Sequence, residues 1–282
     1  MRPKKALGQH FLVDKNIINK IIKNACLKED DLIIEIGAGH GELTLPLSEH
    51  VRHVFAIEKD AGLCYKLKKS IKDKKITNIT VIKEDILKLD LKEIGDFSKE
   101  KPVVMGNIPY NISSLILKKL VESKELISRA VLMFQWEYAK RLTASPGTKE
   151  YGALTLLISY HATVKNLFQI SRNVFYPKPS VDSMLVEIRF DRPHPGIEEH
   201  LFRYVVNATF SHRRKNILNS LFAYIRGIGI SKEQLKKLLS EADITPNLRA
   251  EMLEMDDFLR LSAKLKKYLP KNLIHTQQTE QV

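Results

Sequence analysis

The sequence predicts an α/β protein with an open sheet, followed by a smaller region made only of helices. Two observations predict the sheet. Short apolar runs typical of buried strands occur at residues 32–36, 54–57, 80–82 and 103–106. A glycine turn, an acidic residue or a polar loop follows each run, which is where an open α/β sheet places its ligand-binding residues. A third observation predicts the helical region, because the pattern beyond residue 190 has only helical periodicity.

The segment Asp191–Gly196, with two prolines and a glycine, is predicted to link two domains, residues 1–190 and residues 191–282. Within the first domain, the small and polar segment 143–151 is predicted to be a mobile loop. In the second domain, Ser231 with a glutamine three residues later is predicted to form a capping box. The other helices of this domain are predicted at residues 198–210, 216–224 and 256–269.

The chain carries 46 Lys and Arg residues against 33 Asp and Glu residues, a formal net charge of +13. Such a field favours a polyanionic partner, of which nucleic acid is the commonest, although a solvated lysine-rich surface gives the same count. The excess is not confined to one end, since residues 191–282 hold 15 basic and 11 acidic side chains. A basic arm is predicted at Arg2–Lys5 and a polar, disordered tail at Thr276–Val282.

No apolar stretch approaches the roughly 20 residues that a membrane-spanning helix needs, and no hydrophobic segment near the N-terminus resembles a signal peptide. The two cysteines, Cys26 and Cys64, lack the spacing of a metal or redox motif. The sequence therefore predicts a cytoplasmic protein with no membrane partner and no metal site.

Three successive strand ends carry residues suited to a nucleoside. Gly37 and Gly39 belong to a glycine-rich turn that lets the backbone approach a ligand closely. Glu58 ends the second strand, where a carboxylate can accept both hydroxyls of a ribose. Asp85 follows the third strand and can accept a hydrogen bond from an adenine amino group. Taken singly, each acid is better explained as a solvated surface carboxylate; the ordered series favours a nucleoside site.

The fourth strand ends in Asn107-Ile-Pro-Tyr110, which is suited to presenting an aromatic amine to an electrophile. The Asn107 side-chain oxygen and the Ile108 carbonyl are two acceptors for the two hydrogens of an exocyclic amino group. Pro109 stiffens the turn, and Tyr110 offers a flat face on which a base can stack. Phe175, in a proline-rich loop, is a candidate for the other side of that stack; the alternative is an aromatic side chain filling the core.

The order and spacing of these motifs resemble the ribosomal RNA adenine N6,N6-dimethyltransferases, which are class I enzymes dependent on S-adenosylmethionine. The resemblance covers nearly the whole chain and is strongest to the small-subunit enzymes. The motifs that carry it are Leu7–Leu12, Glu35–Gly39, Glu58, Glu84-Asp85, Asn107–Ser113, Gln135-x-Glu137, Pro146–Gly152, Phe175–Ser183 and Arg213–Lys215.

The resemblance implies a Rossmann-like sheet with helices on both faces, and S-adenosylmethionine as the cofactor. It implies that His10 and Leu12 close over the cofactor, while Gly37 lies against its methionine part. Glu58 would hold the ribose, Asp85 would meet the adenine, and Asn107 would border both the sulfonium and the substrate amine. Four positions depart from the commonest family form, namely His10 for Asn, Ile108 for Leu, Trp136 for Lys and Asn216 for Thr.

The implied activity is transfer of two methyl groups to N6 of adenine in small-subunit ribosomal RNA, by a monomer with a role in subunit biogenesis. Arg213, Arg214 and Lys215 are predicted to contact RNA phosphates, against the alternative of a solvated basic face. Three other functions remain open on the sequence. They are a large-subunit adenine methylase of the antibiotic-resistance type, a DNA adenine methylase, and a ribosome assembly factor without turnover.

Overall fold

The computed structural model describes residues 9–95, 100–192 and 197–269. The predicted basic arm at Arg2–Lys5 and the predicted tail at Thr276–Val282 lie outside the described residues. The predicted linker Asp191–Gly196 lies partly outside them. Within the described ranges, no helix is long and apolar enough to cross a bilayer.

The chain forms two units. Unit 1 contains the chain up to Ala139 and then Thr163–Phe190, and unit 2 contains Lys140–Ala162 and the chain from Asp191 onward. One crossing between the units lies between Phe190 and Asp191. The sequence also placed residues 140–162 in the first domain, and the structure places them in unit 2. The physical reason is burial, because Leu156 and Tyr160 lie in the helical core of unit 2.

Unit 1 is an α/β unit, as the sequence predicted. In chain order its elements are β1 (Phe11–Leu12), α1 (Lys15–Ala25), β2 (Leu32–Ile36), α2 (Thr44–Leu47), β3 (His53–Glu58), α3 (Ala61–Asp73), β4 (Ile79–Lys83), β5 (Val103–Asn107), α4 (Ser113–Glu122), β6 (Arg129–Gln135), the first part of α5 (Trp136–Leu142), β7 (Thr163–Ile170), β8 (Phe175–Tyr176) and β9 (Ser183–Arg189).

Seven of these strands form one mixed sheet in the order β4-β3-β2-β5-β6-β9-β7. Strands β2 to β6 are parallel, and β9 runs antiparallel to both β6 and β7. The chain builds outward from β2 through β3 to β4, then returns to place β5 on the other side of β2. Ligands bind at such a reversal of strand order, outside the carboxyl ends of the strands.

The close approach of β2 and β5 at this reversal depends on Gly106. Its backbone has a φ of +157°, and a Cβ added there would lie 2.4 Å from the carbonyl oxygen of Ile36. Any other residue would push the two strands apart where their ends meet. Gly106 is therefore a residue on which the cleft depends, and the sequence had offered it only as part of an apolar run.

The N-terminal segment joins unit 1 through a two-stranded antiparallel ribbon. Phe11 pairs with Tyr176 and Leu12 pairs with Phe175. The sequence predicted a loop at Phe175, because a two-residue strand is too short to show alternation. Helix α1 follows directly, with the Asp14 side chain accepting hydrogen bonds from two backbone N–H groups of its first turn.

Unit 2 is helical, as the sequence predicted for residues beyond 190. Its helices are the end of α5, α6 (Ala153–His161), α7 (Glu199–Phe210), α8 (Ile217–Tyr224), α9 (Lys232–Glu241) and α10 (Met255–Leu265). The capping box predicted at Ser231 is confirmed, since its hydroxyl accepts from Gln234 N and the Gln234 side chain accepts from Ser231 N. The last predicted helix, 256–269, ends earlier as an α-helix and continues as a 3-10 turn at Lys266–Tyr268.

The segment 143–151, predicted to be mobile, is held by hydrogen bonds within unit 2. Gly147 N donates to the carbonyl of Glu251 over 2.7 Å, and the Tyr151 hydroxyl donates to the carbonyl of Leu253 over 2.9 Å. Tyr151 is only 3% exposed. The small and polar residues of this segment predicted mobility. The sequence pattern did not show its hydrogen-bond partners, Glu251 and Leu253, because they lie about 100 residues further along the chain.

Candidate functional site

An open cleft with a volume of about 200 Å³ lies in unit 1 at the carboxyl ends of the parallel strands. The predicted nucleoside and amine residues meet in its wall, which is lined by Gln9, His10, Phe11, Ile36, Gly37, Gly39, Ile57, Glu58, Lys59, Glu84, Asp85, Ile86, Leu87, Asn107, Ile108, Pro109, Tyr110, Asn111 and Ile112. Residues from four adjacent strand ends and from the N-terminal segment are thereby brought together, as the sequence predicted for the strand ends.

Glu58 stands at the tip of β3 with its carboxylate fixed from two sides. Its Oε2 accepts a hydrogen bond from Gly39 N at 3.0 Å, and its Oε1 accepts one from Asp60 N at 2.8 Å. Each carboxylate oxygen has two lone pairs, so both oxygens retain an acceptor position towards the cleft. The side chain is 7% exposed, which keeps competing water away from most of it. This geometry fits a pair of vicinal hydroxyls.

Asp85 lies in the same wall and is held ionised. Burial alone would raise the pKa of Asp85, but hydrogen bonds from the Lys59 ammonium and from Leu87 N bring that pKa below its ordinary value. The Lys59 Nζ to Asp85 Oδ2 distance is 2.8 Å. An ionised carboxylate only accepts hydrogen bonds, so Asp85 suits the amino group of a purine, and the neighbouring Ile86 supplies apolar surface for its ring.

The glycine turn after β2 brings backbone close to the cleft. Gly37 N and Ala38 N both donate to the carbonyl of Ile57, which ties the turn to β3. Gly39 has a φ of +59°, and a Cβ there would lie 3.2 Å from the ring of Phe11. A side chain at this position would be strained and would press against an aromatic ring of the cleft wall. The turn thus leaves room for a ligand where the sequence predicted it.

Asn107 ends β5 with its amide in a defined orientation. Its Nδ2 donates to the backbone carbonyl of His10 over 2.6 Å. A carbonyl can only accept, so the amide nitrogen must face His10 and Oδ1 must lie on the opposite side of the amide group. The following residue, Ile108, has a buried side chain and donates its N–H to Met133 O. Its backbone carbonyl is the second acceptor of this turn, beside the Asn107 side-chain oxygen.

Tyr110 stacks on His10, with ring centroids 5.5 Å apart and an interplanar angle of 25°. The His10 ring is itself held, because its Nδ1 lies 2.6 Å from the carbonyl oxygen of Pro177 and donates to it. The Tyr110 hydroxyl shares a hydrogen bond with Ser183 Oγ at 3.0 Å. Burial raises the pKa of Tyr110, so the phenol stays neutral at physiological pH.

Two predicted site residues do not line the cleft. Leu12 and Phe175 are 4% and 3% exposed and lie together in the core of unit 1. Phe175 therefore matches the alternative that the sequence left open, an aromatic side chain filling the core. Residues alternate along a strand, so the neighbouring Tyr176 points the other way and is 64% exposed.

The predicted RNA-binding residues belong to unit 2 and differ from one another. The Arg213 guanidinium donates to the carboxylate of Glu251 and to the carbonyls of Lys149 and Tyr151. Those bonds hold the segment 143–151 against the rest of unit 2. Arg214 and Lys215 are exposed. Arg213 is exposed too, with 44% of its side chain accessible, and among the described residues it differs from the other two in being held by these internal bonds.

The strand that leads into the glycine turn carries a buried acid, Glu35. It is 2% exposed, and burial, with added repulsion from the carboxylates of Glu42 and Glu58, raises the pKa of Glu35 to about 8. The carboxyl is therefore protonated at neutral pH. The signal of this group in the sequence is an acidic residue inside an otherwise apolar strand.

The strand order is that of the class I methyltransferases, which use S-adenosylmethionine. The residues present fit that cofactor, since the Glu58 carboxylate, the ionised Asp85 and the glycine turn match a ribose, an adenine and a closely bound chain. A family model described as ribosomal RNA adenine dimethylase matches residues 1–267. The chain belongs to this family, and it is a methyltransferase that acts on adenine in ribosomal RNA.

Relatives and solved structures agree with the family. The chain is 41% identical over 264 residues to the Ribosomal RNA small subunit methyltransferase A of Desulforapulum autotrophicum, covering 93% of this chain and 92% of the relative. It is 39% identical over 268 residues to the protein of that name from Bacillus mycoides, covering 93% and 91%.

Two solved structures are similar over most of the chain. A dimethyladenosine transferase from Plasmodium falciparum has a TM-score of 0.75 at 28% identity, covering 92% of this chain and 98% of that one. The 23S rRNA methyltransferase ErmE has a TM-score of 0.68 at 26% identity, covering 90% and 99%. The second shows that a large-subunit enzyme shares this fold, so fold alone does not decide the substrate.

Proposed function

We propose that this enzyme dimethylates N6 of adenine within the small ribosomal subunit or its precursor, and acts there as a monomer during subunit maturation in the cytoplasm. The observation that supports the small subunit is similarity over nearly the full chain. Relatives named for that subunit are 39–41% identical to it, whereas the large-subunit enzyme ErmE is 26% identical.

We assign the chemistry to the turn Asn107–Tyr110. An adenine amino group is a poor nucleophile because its lone pair is delocalised into the ring. Asn107 Oδ1 and the Ile108 carbonyl accept its two hydrogens, which draws them out of the ring plane and restores lone-pair character. Pro109, with φ −57° and ψ 126°, fixes the direction of that carbonyl.

The orientation of Asn107 is the observation that carries this mechanism. Because Nδ2 is committed to the His10 carbonyl, the amide presents an acceptor, and not a donor, on its other side. A donor there would repel the amino hydrogens of adenine. His10 is thus a positioning residue, whose backbone sets the polarity of the group that touches the substrate.

Bound S-adenosylmethionine supplies a methyl group on a positively charged sulfur, which is already electrophilic. Glu58 and Asp85 hold and orient that cofactor, and Asn107 aims the lone pair of the amine, so orientation provides much of the rate. The amine loses one proton as it gains a methyl group. That proton can pass to water at the open mouth of the cleft, and no general base is needed.

The target base must leave its stack to enter the cleft, and Tyr110 offers a ring to replace the lost stacking, worth ~1–3 kcal/mol per base. The sequence prediction paired Tyr110 with Phe175, but Phe175 lies in the core. The ring that faces Tyr110 is His10. We therefore assign base stacking to Tyr110 alone.

The test is to incubate the enzyme and labelled cofactor separately with immature small subunits, large subunits, DNA and short RNA oligonucleotides. We expect dimethyladenosine, identified by mass spectrometry of the nucleosides, only from small-subunit RNA. Dimethyladenosine in large-subunit RNA would instead establish a resistance-type methylase, and methylated DNA a DNA adenine methylase. Binding to the particle without any methylation would establish an assembly factor.

A further inference from the structure

Helix α3 of unit 1 carries an exposed cationic surface that none of the roles above uses. Lysines occupy positions 66, 68, 69 and 72 of the helix and 74 and 75 just beyond it, and all six are exposed. Asp73 is the only acid between residues 65 and 75. A helix face that serves only solubility usually alternates charges of both signs, and this one does not.

Four of the exposed residues form a single stripe. Tyr65, Lys68, Lys69 and Lys72 are spaced i, i+3, i+4 and i+7, so they share one side of the helix. The opposite side holds the buried residues Leu63, Cys64 and Leu67. The stripe spans about 10 Å at 1.5 Å per residue. We call these four residues the α3 stripe.

The stripe combines an aromatic ring with unneutralised charge. The Tyr65 side chain is 72% exposed, more than any other exposed large hydrophobic residue in the described chain. Within that part of the chain, no carboxylate lies within ion-pair distance of Lys68, Lys69 or Lys72. Cations in a row beside an exposed ring match the alternation of phosphate and base along an RNA strand.

The position of α3 connects the stripe to the cleft. Glu58 ends β3 in the cleft wall, and Asp60, two residues later, caps α3 by accepting hydrogen bonds from Gly62 N and Leu63 N. The helix therefore starts at the cleft edge of the sheet and runs back along β3 and β4. An RNA strand that delivers an adenine to the cleft can continue along this flank of the same unit.

We propose that the α3 stripe binds the RNA backbone next to the target adenine, with its lysines on successive phosphates and Tyr65 against a ribose or base. This rests on the proposed function and adds an RNA surface within unit 1 itself. Part of the basic surface of unit 2 is already engaged, since the Arg213 guanidinium, although 44% exposed, donates to groups of its own chain.

The decisive variant replaces Lys68, Lys69 and Lys72 together by Gln. Its matched control replaces Lys232, Lys236 and Lys237 of α9, also three exposed helical lysines but interspersed with Glu233 and Glu241. Both variants lose three charges. Binding to protein-free small-subunit RNA is measured across a salt series, together with turnover and cofactor affinity.

For the α3 variant we expect the slope of log affinity against log salt to flatten by about two to three units, since each lost phosphate contact removes ~0.7–0.9. KM for RNA should rise, while kcat at saturating RNA and cofactor affinity stay unchanged. The control should keep the wild-type slope. An α3 variant whose slope equals that of the wild type, or a control that flattens equally, overturns the proposal.

Further measurements distinguish RNA binding by the α3 stripe from binding to an acidic protein and from a different RNA substrate. Tyr65→Ala should raise KM for RNA and Tyr65→Trp should restore it, because stacking needs only a flat ring. If the lysine variant binds naked RNA normally but fails on intact particles, the partner is an acidic protein and the RNA proposal is wrong. If the wild-type enzyme methylates a different RNA, the substrate proposal fails, and the same salt series on that RNA still decides about the stripe.

Discussion

The cleft of unit 1 and the basic tripeptide Arg213–Lys215 of unit 2 were both predicted from residue type. They differ in how far internal hydrogen bonds leave their side chains available to a ligand. In the cleft, bonds from the protein's own backbone fix Glu58 and Asn107 while leaving acceptors for a ligand. In the tripeptide, bonds within unit 2 occupy the Arg213 side chain. A residue type predicts which chemistry is possible, and its internal partners decide whether that chemistry remains available.

The largest effect is expected at the group that touches the substrate. Asn107→Ala should lower kcat by about 100- to 1000-fold, the range seen when one oriented polar group is removed from a reacting centre. RNA binding should persist, and some cofactor affinity should be lost because the residue borders the cofactor. Steady-state methylation kinetics with saturating RNA measure this, with the exposed Asn173→Ala as control. Near-normal turnover would show that another acceptor orients the amine.

Unit 1 also carries a group that costs stability, the buried acid Glu35 of β2. The pKa of Glu35 is about 8 in the fold against an ordinary value of 4.5, so the folded state binds one more proton than the unfolded state between those pH values. The free energy of unfolding should therefore fall as pH rises through this window, by up to about 1.4 kcal/mol per pH unit from this group. The loss should level off above pH 8.

Glu35→Gln tests that cost, because glutamine is similar in size and does not titrate. Chemical unfolding of both proteins from pH 5 to pH 8 should show a difference that grows with pH, with the variant the less sensitive. Parallel curves for the two proteins would mean that Glu35 is not protonated in the folded enzyme.

The Glu58 carboxylate accepts hydrogen bonds from Gly39 N and Asp60 N, and it is also proposed to bind the cofactor. Substitutions at this residue measure the cofactor contribution. Glu58→Ala is expected to weaken cofactor binding by about 1.5–3 kcal/mol, the contribution of hydrogen bonds to a charged group. RNA binding should be unchanged. Glu58→Gln keeps an acceptor oxygen and should lose less. Calorimetric titration of the cofactor checks both, with the exposed Glu49→Ala as control, and unaltered affinity in Glu58→Ala would remove the residue from the cofactor site.

The sequence could predict the cleft because its residues obey a local rule. Each strand is a short apolar run, and the carboxyl ends of neighbouring parallel strands meet at one edge of the sheet. The polar residue after each run is then placed without knowledge of any distant contact. Glu58, Asp85 and Asn107 all lie in the cleft wall for this reason.

The features that the sequence did not predict depend on pairing over long distances. Phe175 is buried and Tyr176 exposed because of a register with Phe11 and Leu12, more than 160 residues earlier. The assignment of residues 140–162 to unit 2 depends on packing against helices that follow residue 197. Neither the strand register nor the helix packing can be read from the local pattern, because each depends on residues far away in the sequence.

The last prediction separates the members of the tripeptide. Arg213→Ala removes bonds to Glu251 and to two carbonyls, one of them on the buried Tyr151, and should lower the free energy of unfolding by about 1–3 kcal/mol. Arg214→Ala makes the same change of charge at an exposed side chain without those internal bonds, and should stay within about 0.5 kcal/mol of the wild type. Arg214 and Lys215 together should instead flatten the salt dependence of RNA binding by roughly one unit per lost contact. Denaturant unfolding and RNA titration of the same variants provide both readouts.

If Arg213→Ala leaves stability intact and flattens the salt dependence as Arg214→Ala does, its side chain is free in solution, and the tripeptide is the uniform RNA surface that the sequence predicted.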